Sequence, residues 1–263
     1  MKITANGISM NYTLDGPADA PVVTLSHSLA TTLAMWEPQL KALTARWRVL
    51  AYDTRGHGGT DAPRGGYSLD LLADDAQALL RALGIQRTHW VGLSMGGMIG
   101  QTLALKAPEL FASLSLCDTS SRIPPEAKPL WDERIHAAET KGMEPLVEPT
   151  LARWFTAPYK DKGGPVVDKV RTMIRSTPPA GYIGCCQAIS GLNLTDRIGA
   201  IRVPTLIIVG EDDQGTPVAA SKVMNEKIHG SQLVILKSAA HLSNMEQPEE
   251  FTNALTGFLG KAS

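Results

Sequence analysis

A serine flanked at two positions on either side by glycine, Gly92-Leu93-Ser94-Met95-Gly96, follows the apolar run Thr88 to Leu93 and precedes an apolar stretch with helical spacing. A serine on such a strand-to-helix turn is forced into an unusual backbone conformation. Neighbours two residues away must lack a Cβ or clash with the strand and helix. A hydroxyl is a poor nucleophile at neutral pH, so it needs a base at hydrogen-bond distance and a third group to hold that base in the right tautomer. For a serine on this kind of turn the chain order is serine, acid, histidine. The sequence offers Asp213, on the loop after Val209-Gly210, and His241, between the last apolar run and the last helical segment. Glu211 and Asp212 are neighbouring alternatives for the orienting acid, with Asp213 preferred.

Negative charge developing on a tetrahedral intermediate needs donors already aimed at it. The Met95 amide, at the amino end of the helix after Ser94, is one candidate, because the helix dipole also favours an anion there. The Leu29 amide, in the loop Ser26-His27-Ser28-Leu29-Ala30, is the other. His27 and Ser28 either shape that loop or touch substrate. The motif Asp53-Thr54-Arg55-Gly56-His57-Gly58-Gly59-Thr60-Asp61 carries acid, base and guanidinium together. Its glycines fit a tight loop whose polar side chains satisfy buried backbone groups, so it reads as structural.

Several elements must hold these groups. Lys2 to Ala5 and Ile8 to Leu14 read as strands joined at Asn6-Gly7, a hairpin signal. Further strands are expected at Pro21 to Ser26, Trp47 to Asp53, Thr88 to Leu93, Phe111 to Cys117, Thr205 to Val209 and Leu233 to Leu236. Helical patterns intervene at Thr32 to Ala45, from an N-cap at Ser68 to Leu83 with Gly84 as the stop, and from Pro248 to Leu259. Alternation of this kind argues for a mainly parallel sheet covered by helices, with reacting groups on loops past the carboxyl ends of the strands. Residues 121–195 hold helical segments punctuated by proline and glycine and no convincing strand. They read as an α-helical cap inserted into a core of residues 1–120 and 196–263.

With 263 residues and 43% hydrophobic content the chain can bury a sizeable core. Its 25 basic and 26 acidic residues are interspersed, which argues against nucleic acid or an anionic membrane as partner. No apolar segment approaches the roughly 20 residues a membrane helix needs, and the amino terminus lacks a signal-like apolar core, so a cytoplasmic protein is expected. Cys117, Cys185 and Cys186 cannot all pair and lack ligands at metal spacing, so they read as small core residues.

Over nearly its whole length the chain resembles the α/β-hydrolase superfamily, and more narrowly the 3-oxoadipate enol-lactonases. The narrower resemblance rests on Leu29 to Trp36, Tyr52 to Asp61, Gly92 to Met98, Thr150 to Thr156, Gly210 to Pro217 and Ala240 to Pro248. It implies a mostly parallel eight-stranded sheet flanked by helices with a helical cap. It also implies hydrolysis of a small lactone or ester by an acyl-enzyme route without metal or organic cofactor. Separately, a monomer or small homo-oligomer is expected. Those lactonases tend to carry Asn-Ser-Leu-Gly where this chain has His27-Ser28-Leu29-Ala30, so a related carboxylesterase or a lactonase of different preference is the alternative. The same triad also suits a perhydrolase- or haloperoxidase-type enzyme, and the same fold a ligand receptor with a vestigial triad, the non-enzymatic reading. A lactone of that class bears a carboxylate, for which Arg134 and Arg153 are candidate partners, while Trp131 and Trp154, with Phe155, are candidates to line the acyl pocket.

Overall fold

Short runs of Val, Ile and Leu that are apolar on both faces have no stable place at a surface, and here they are gathered into one sheet. The computed structural model describes residues 1–262. The strands are β1 (Lys2–Ala5), β2 (Ile8–Asp15), β3 (Val22–Ser26), β4 (Arg48–Tyr52), β5 (Thr88–Leu93), β6 (Phe111–Cys117), β7 (Thr205–Gly210) and β8 (Gln232–Leu236). They lie in the order β1-β2-β4-β3-β5-β6-β7-β8. The first two pairings, β1 with β2 and β2 with β4, are antiparallel, and every later one is parallel. Asn6 and Gly7 both take positive φ at the β1–β2 turn, as that dipeptide allows. Every residue of β5 and β7 is buried, whereas the edge strand β8 exposes Gln232 and Ile235.

Helices α1 (Glu37–Thr44), α2 (Leu69–Ala82) and α3 (Met95–Lys106) follow β3, β4 and β5 respectively. The expected single helix over Thr32 to Ala45 is instead a 3-10 turn at Leu33–Trp36 followed by α1. Thr32 caps the turn through its hydroxyl, and Pro38, with no amide hydrogen to give, sits in the first turn of α1 and restarts the helix there. Ser68 caps α2 as its position predicts, accepting from the Leu71 amide at 3.1 Å.

Between β6 and β7 the chain builds α4 (Lys128–Lys141), α5 (Glu144–Trp154), α6 (Ala157–Lys162), α7 (Pro165–Ser176) and α8 (Pro179–Ser190), with no strand among the described residues of this stretch. The segment leaves and returns side by side through an isolated bridge between Arg122 and Asn193. Helix α8 is seated tightly on the loop after β4: a Cβ on Gly181 would lie 2.1 Å from the Gly56 carbonyl oxygen. Helices α9 (Val218–Lys227), α10 (Ser243–Glu246) and α11 (Pro248–Ala262) complete the chain. The three cysteines are buried and free, and among the described residues no cluster of His, Cys, Asp and Glu could hold a metal ion. No helix among the described residues is long and apolar enough to cross a membrane.

Candidate active site

Ser94 sits at the junction of β5 and α3 with φ 53° and ψ −113°, a conformation in which a non-glycine residue persists only under local constraint. The constraint is visible. The Ser94 amide donates to the Cys117 carbonyl at 2.8 Å, and its own carbonyl accepts from the Thr119 hydroxyl at 2.8 Å. Close packing of strand on helix fixes the rest: a Cβ on Gly92 would lie 2.1 Å from the Gly96 oxygen, and one on Gly96 would lie 2.0 Å from the Ser26 oxygen.

His241 lies on the loop after β8, buried, with Nδ1 2.9 Å from an Asp213 carboxylate oxygen. Of the three neighbouring acids, Asp213 is the one turned inward, while Glu211 and Asp212 are exposed. Asp213 Oδ1 accepts the Gly215 and Thr216 amides at 2.8 and 3.0 Å, and Oδ2 accepts the Thr216 hydroxyl at 2.6 Å as well as the imidazole. Burial alone would raise the Asp213 carboxyl, but the charge and hydrogen bond of His241, with the donors of Thr216, bring it below its ordinary value. Burial would correspondingly lower His241, but Asp213 beside it, with a smaller push from Asp118, holds the imidazole above its ordinary value.

Ser94 and His241 line one cavity of about 450 Å³. Among the described residues no hydrogen bond joins the Ser94 hydroxyl to His241, and such contacts commonly close only around substrate. The opposite side of the cavity comes from the helices between β6 and β7. Trp154 lines it and stacks on the His241 ring at 6.0 Å and 29°. Trp131 lines it and carries the Arg134 guanidinium 4.7 Å above its ring. Arg134 and Arg153 both reach the cavity, and among the described residues neither pairs with a carboxylate. Among the described residues Arg134 Nε is buried without a hydrogen-bond partner, and Arg153 makes one bond, to the Thr150 hydroxyl at 3.2 Å. Burial, and then the charge of Arg134, push the Arg153 guanidinium below its ordinary pKa. No Asp or Glu is among the cavity's described lining residues.

Ser28 and Leu29 line the cavity, whereas His27 does not. The reason is geometric. His27 is fully buried, its Nδ1 facing the Ser28 carbonyl at 2.7 Å and its Nε2 accepting the Thr54 amide at 2.9 Å, so it has no polar atom left for substrate. Phe155 likewise is absent from the lining and stacks on Tyr159. The Leu29 and Met95 amides donate to no acceptor among the described residues. The motif Asp53 to Asp61 is structural as read: the Asp53 carboxylate accepts the Leu33 and Gly59 amides at 2.8 Å each, and Arg55 pairs with buried Asp75 at 2.6 Å.

Two residues outside the expected set brace the site. Thr216 was legible as part of the turn Asp213-Gln214-Gly215-Thr216, where a side-chain carboxylate commonly takes the following amides. Glu246 was not: its buried carboxylate accepts the Ala240 amide at 2.9 Å and the Thr156 amide at 3.1 Å, joining the histidine loop to the end of α5.

A family model described as alpha/beta hydrolase fold matches residues 21–248. The chain is 35% identical over 253 residues to 3-oxoadipate enol-lactonase 2 of Acinetobacter baylyi, covering 96% of this chain and 94% of that protein. It is 30% identical to a RutD protein of Rhizobium rhizogenes, covering 94% and 95% of the two, whose name offers carbamate hydrolysis as a proposal only. The crystal structure of the enol-lactonase from Burkholderia xenovorans LB400 superposes with a TM-score of 0.95 at 38% identity, covering 99% of this chain and 100% of that one.

Proposed function

The chain belongs to the alpha/beta hydrolase fold family and is a hydrolase; on that premise we propose that it opens a small lactone or ester bearing a free carboxylate through an acyl bond to Ser94, with 3-oxoadipate enol-lactone the leading substrate. The observation that carries the substrate reading is the pair of guanidiniums, Arg134 and Arg153, turned into a cavity with no carboxylate among the described residues to meet them. An unpaired buried donor on a charged group costs about 1–3 kcal/mol or more, and an anionic ligand removes that cost. Similarity to enol-lactonases along almost the whole chain supports the same reading.

In this account Ser94 Oγ attacks the lactone carbonyl while His241 takes its proton at Nε2. Asp213 holds Nδ1–H and steadies the imidazolium. The oxyanion is received by the Leu29 and Met95 amides. Collapse breaks the ring carbon–oxygen bond, and the departing enol oxygen takes the proton back from His241. The enol stays tethered through its acyl end until His241 draws a proton from water, whose oxygen attacks the acyl carbonyl; collapse then breaks the bond to Ser94 Oγ, which takes that proton back from His241. Trp131 and Trp154 supply the apolar wall, and the arginine pair grips the distal carboxylate.

The test is a panel of lactones and esters, with and without a distal carboxylate and including a small carbamate. Arg153→Ala and Arg134→Ala are expected to raise KM for the carboxylated lactone about 10- to 100-fold, the size of one lost charge-assisted bond. KM for a neutral ester should move less than about two-fold, the size expected for a group making no specific contact. Equal changes for both substrates contradict the carboxylate reading. Preferential turnover of the carbamate favours the second reading, which the RutD relative supports.

A further inference from the structure

The loop that carries Leu29 is fixed by a reciprocal exchange between two buried histidines. His27, on that loop, accepts the Thr54 amide of the loop after β4 through Nε2 at 2.9 Å. His57, on the loop after β4, accepts the Ala30 amide through Nε2 at 2.9 Å. The rings lie 5.2 Å apart, and both are fully buried. Backbone amides only donate, so each Nε2 must be a lone pair and each proton must sit on Nδ1. There it points to a carbonyl in both cases, Ser28 at 2.7 Å and Arg55 at 3.3 Å.

The consequence for Leu29 follows from which amides are occupied. In the run Ser28 to Thr31, Ser28 N–H goes to Met35 Sδ at 3.4 Å, Ala30 N–H to His57 and Thr31 N–H to the Ser28 carbonyl at 3.2 Å. Leu29 N–H alone has no acceptor among the described residues, and Leu29 lines the cavity beside Ser94. Ala30 holds a positive φ of 55°, which a non-glycine residue does not choose unaided, and its amide is the one His57 grips.

We propose that His57 and His27 are positioning residues for acyl transfer: as a pair of neutral imidazoles they lock the positive-φ turn at Ala30 and thereby aim the Leu29 amide at the oxyanion. The inference rests on the acyl-enzyme reading above, and it goes beyond it by giving a chemical task to two histidines that never touch substrate.

The test uses a small neutral ester, so that it is independent of the natural substrate, with a fluorophosphonate titration to count competent Ser94. Removing an aimed oxyanion donor costs about 10²- to 10³-fold in kcat. His57→Ala is therefore expected to lower kcat per titrated site by about that factor, with KM within about three-fold. Binding of a trifluoromethyl ketone, which forms a tetrahedral adduct, should weaken in parallel, while binding of the carboxylate product stays unchanged. A glutamine carbonyl reaches about as far as Nε2 and an asparagine carbonyl only about as far as Nδ1. His57→Gln should thus recover most of the lost kcat and His57→Asn should not, a comparison that holds even when the alanine variant is poorly folded. Wild-type kcat per site in His57→Ala, or equal kcat in the Gln and Asn variants, overturns the proposal. Absence of any fluorophosphonate-reactive Ser94 in the wild type instead overturns the acyl-enzyme reading itself.

Discussion

Asp213 and His241 shift in opposite senses, and the signs decide how activity and stability move with pH. In the proposed mechanism His241 takes the serine proton and so has to be neutral, and its folded pKa lies above the ordinary value near 6.5. The acidic limb of kcat/KM is therefore expected above about pH 6.5, and Asp213→Asn should lower kcat by about 10⁴, the scale of tautomer loss in serine triads. A pH–rate profile with its limb below 6, or an Asp213→Asn variant of near wild-type rate, contradicts this. For stability the raised His241 contributes fully below its unfolded pKa and loses that contribution as pH rises through the folded value. Asp213, lowered, contributes above its unfolded pKa and loses it as pH falls through the folded one. His57 acts differently, since burial, and then the nearby His27, push it down to about 3. Between about pH 6.5 and 3 the unfolded chain takes up a proton that the folded chain refuses, so stability falls with pH there by up to about 1.4 kcal/mol per unit. Urea unfolding of His57→Gln between pH 4 and 6 should show a correspondingly shallower slope, and an unchanged slope counts against a neutral His57.

Single contacts between elements set the placement of Ser94. Gly96→Ala puts a methyl 2.0 Å from a strand carbonyl that cannot swing aside, so loss of more than about 4 kcal/mol is expected, read as failure to yield folded protein. Gly7→Ala, at a positive φ with open space around it, should cost only about 1 kcal/mol in a denaturant titration. A folded Gly96→Ala would contradict the steric basis of the strand-to-helix turn at Ser94. These elements were legible where local pattern and burial agree. Runs such as Thr205 to Val209 are apolar on both faces, and β7 indeed spans Thr205–Gly210. The break at Pro38 follows from its missing amide hydrogen, a local signal that the apolar spacing across Thr32 to Ala45 masks. The direction of His27 was not legible, because its partner Thr54 and its counterpart His57 come from another strand's loop. Local sequence says that a loop is polar, not which amide each ring will face.

At the scale of the molecule, the cavity is a joint product of loops at the strand ends and helices inserted between β6 and β7, and its charge is one-sided. Arg122, Arg134 and Arg153 line it with no acidic residue among the described lining, although the whole chain has a net charge of only -1. Sequence alone could nominate two of these arginines but not their lack of partners, since pairing is settled through space. A carboxylated substrate should accordingly lose kcat/KM as ionic strength rises from about 0.05 to 0.5 M, while a neutral ester stays flat; parallel behaviour would remove the electrostatic reading. Covalent catalysis at Ser94 is open to fluorophosphonate labelling followed by peptide mass spectrometry. One adduct per chain, on Ser94, is expected, with turnover lost in proportion and labelling suppressed in His241→Gln. Full turnover by a completely labelled enzyme, or an adduct on any other residue, would contradict it.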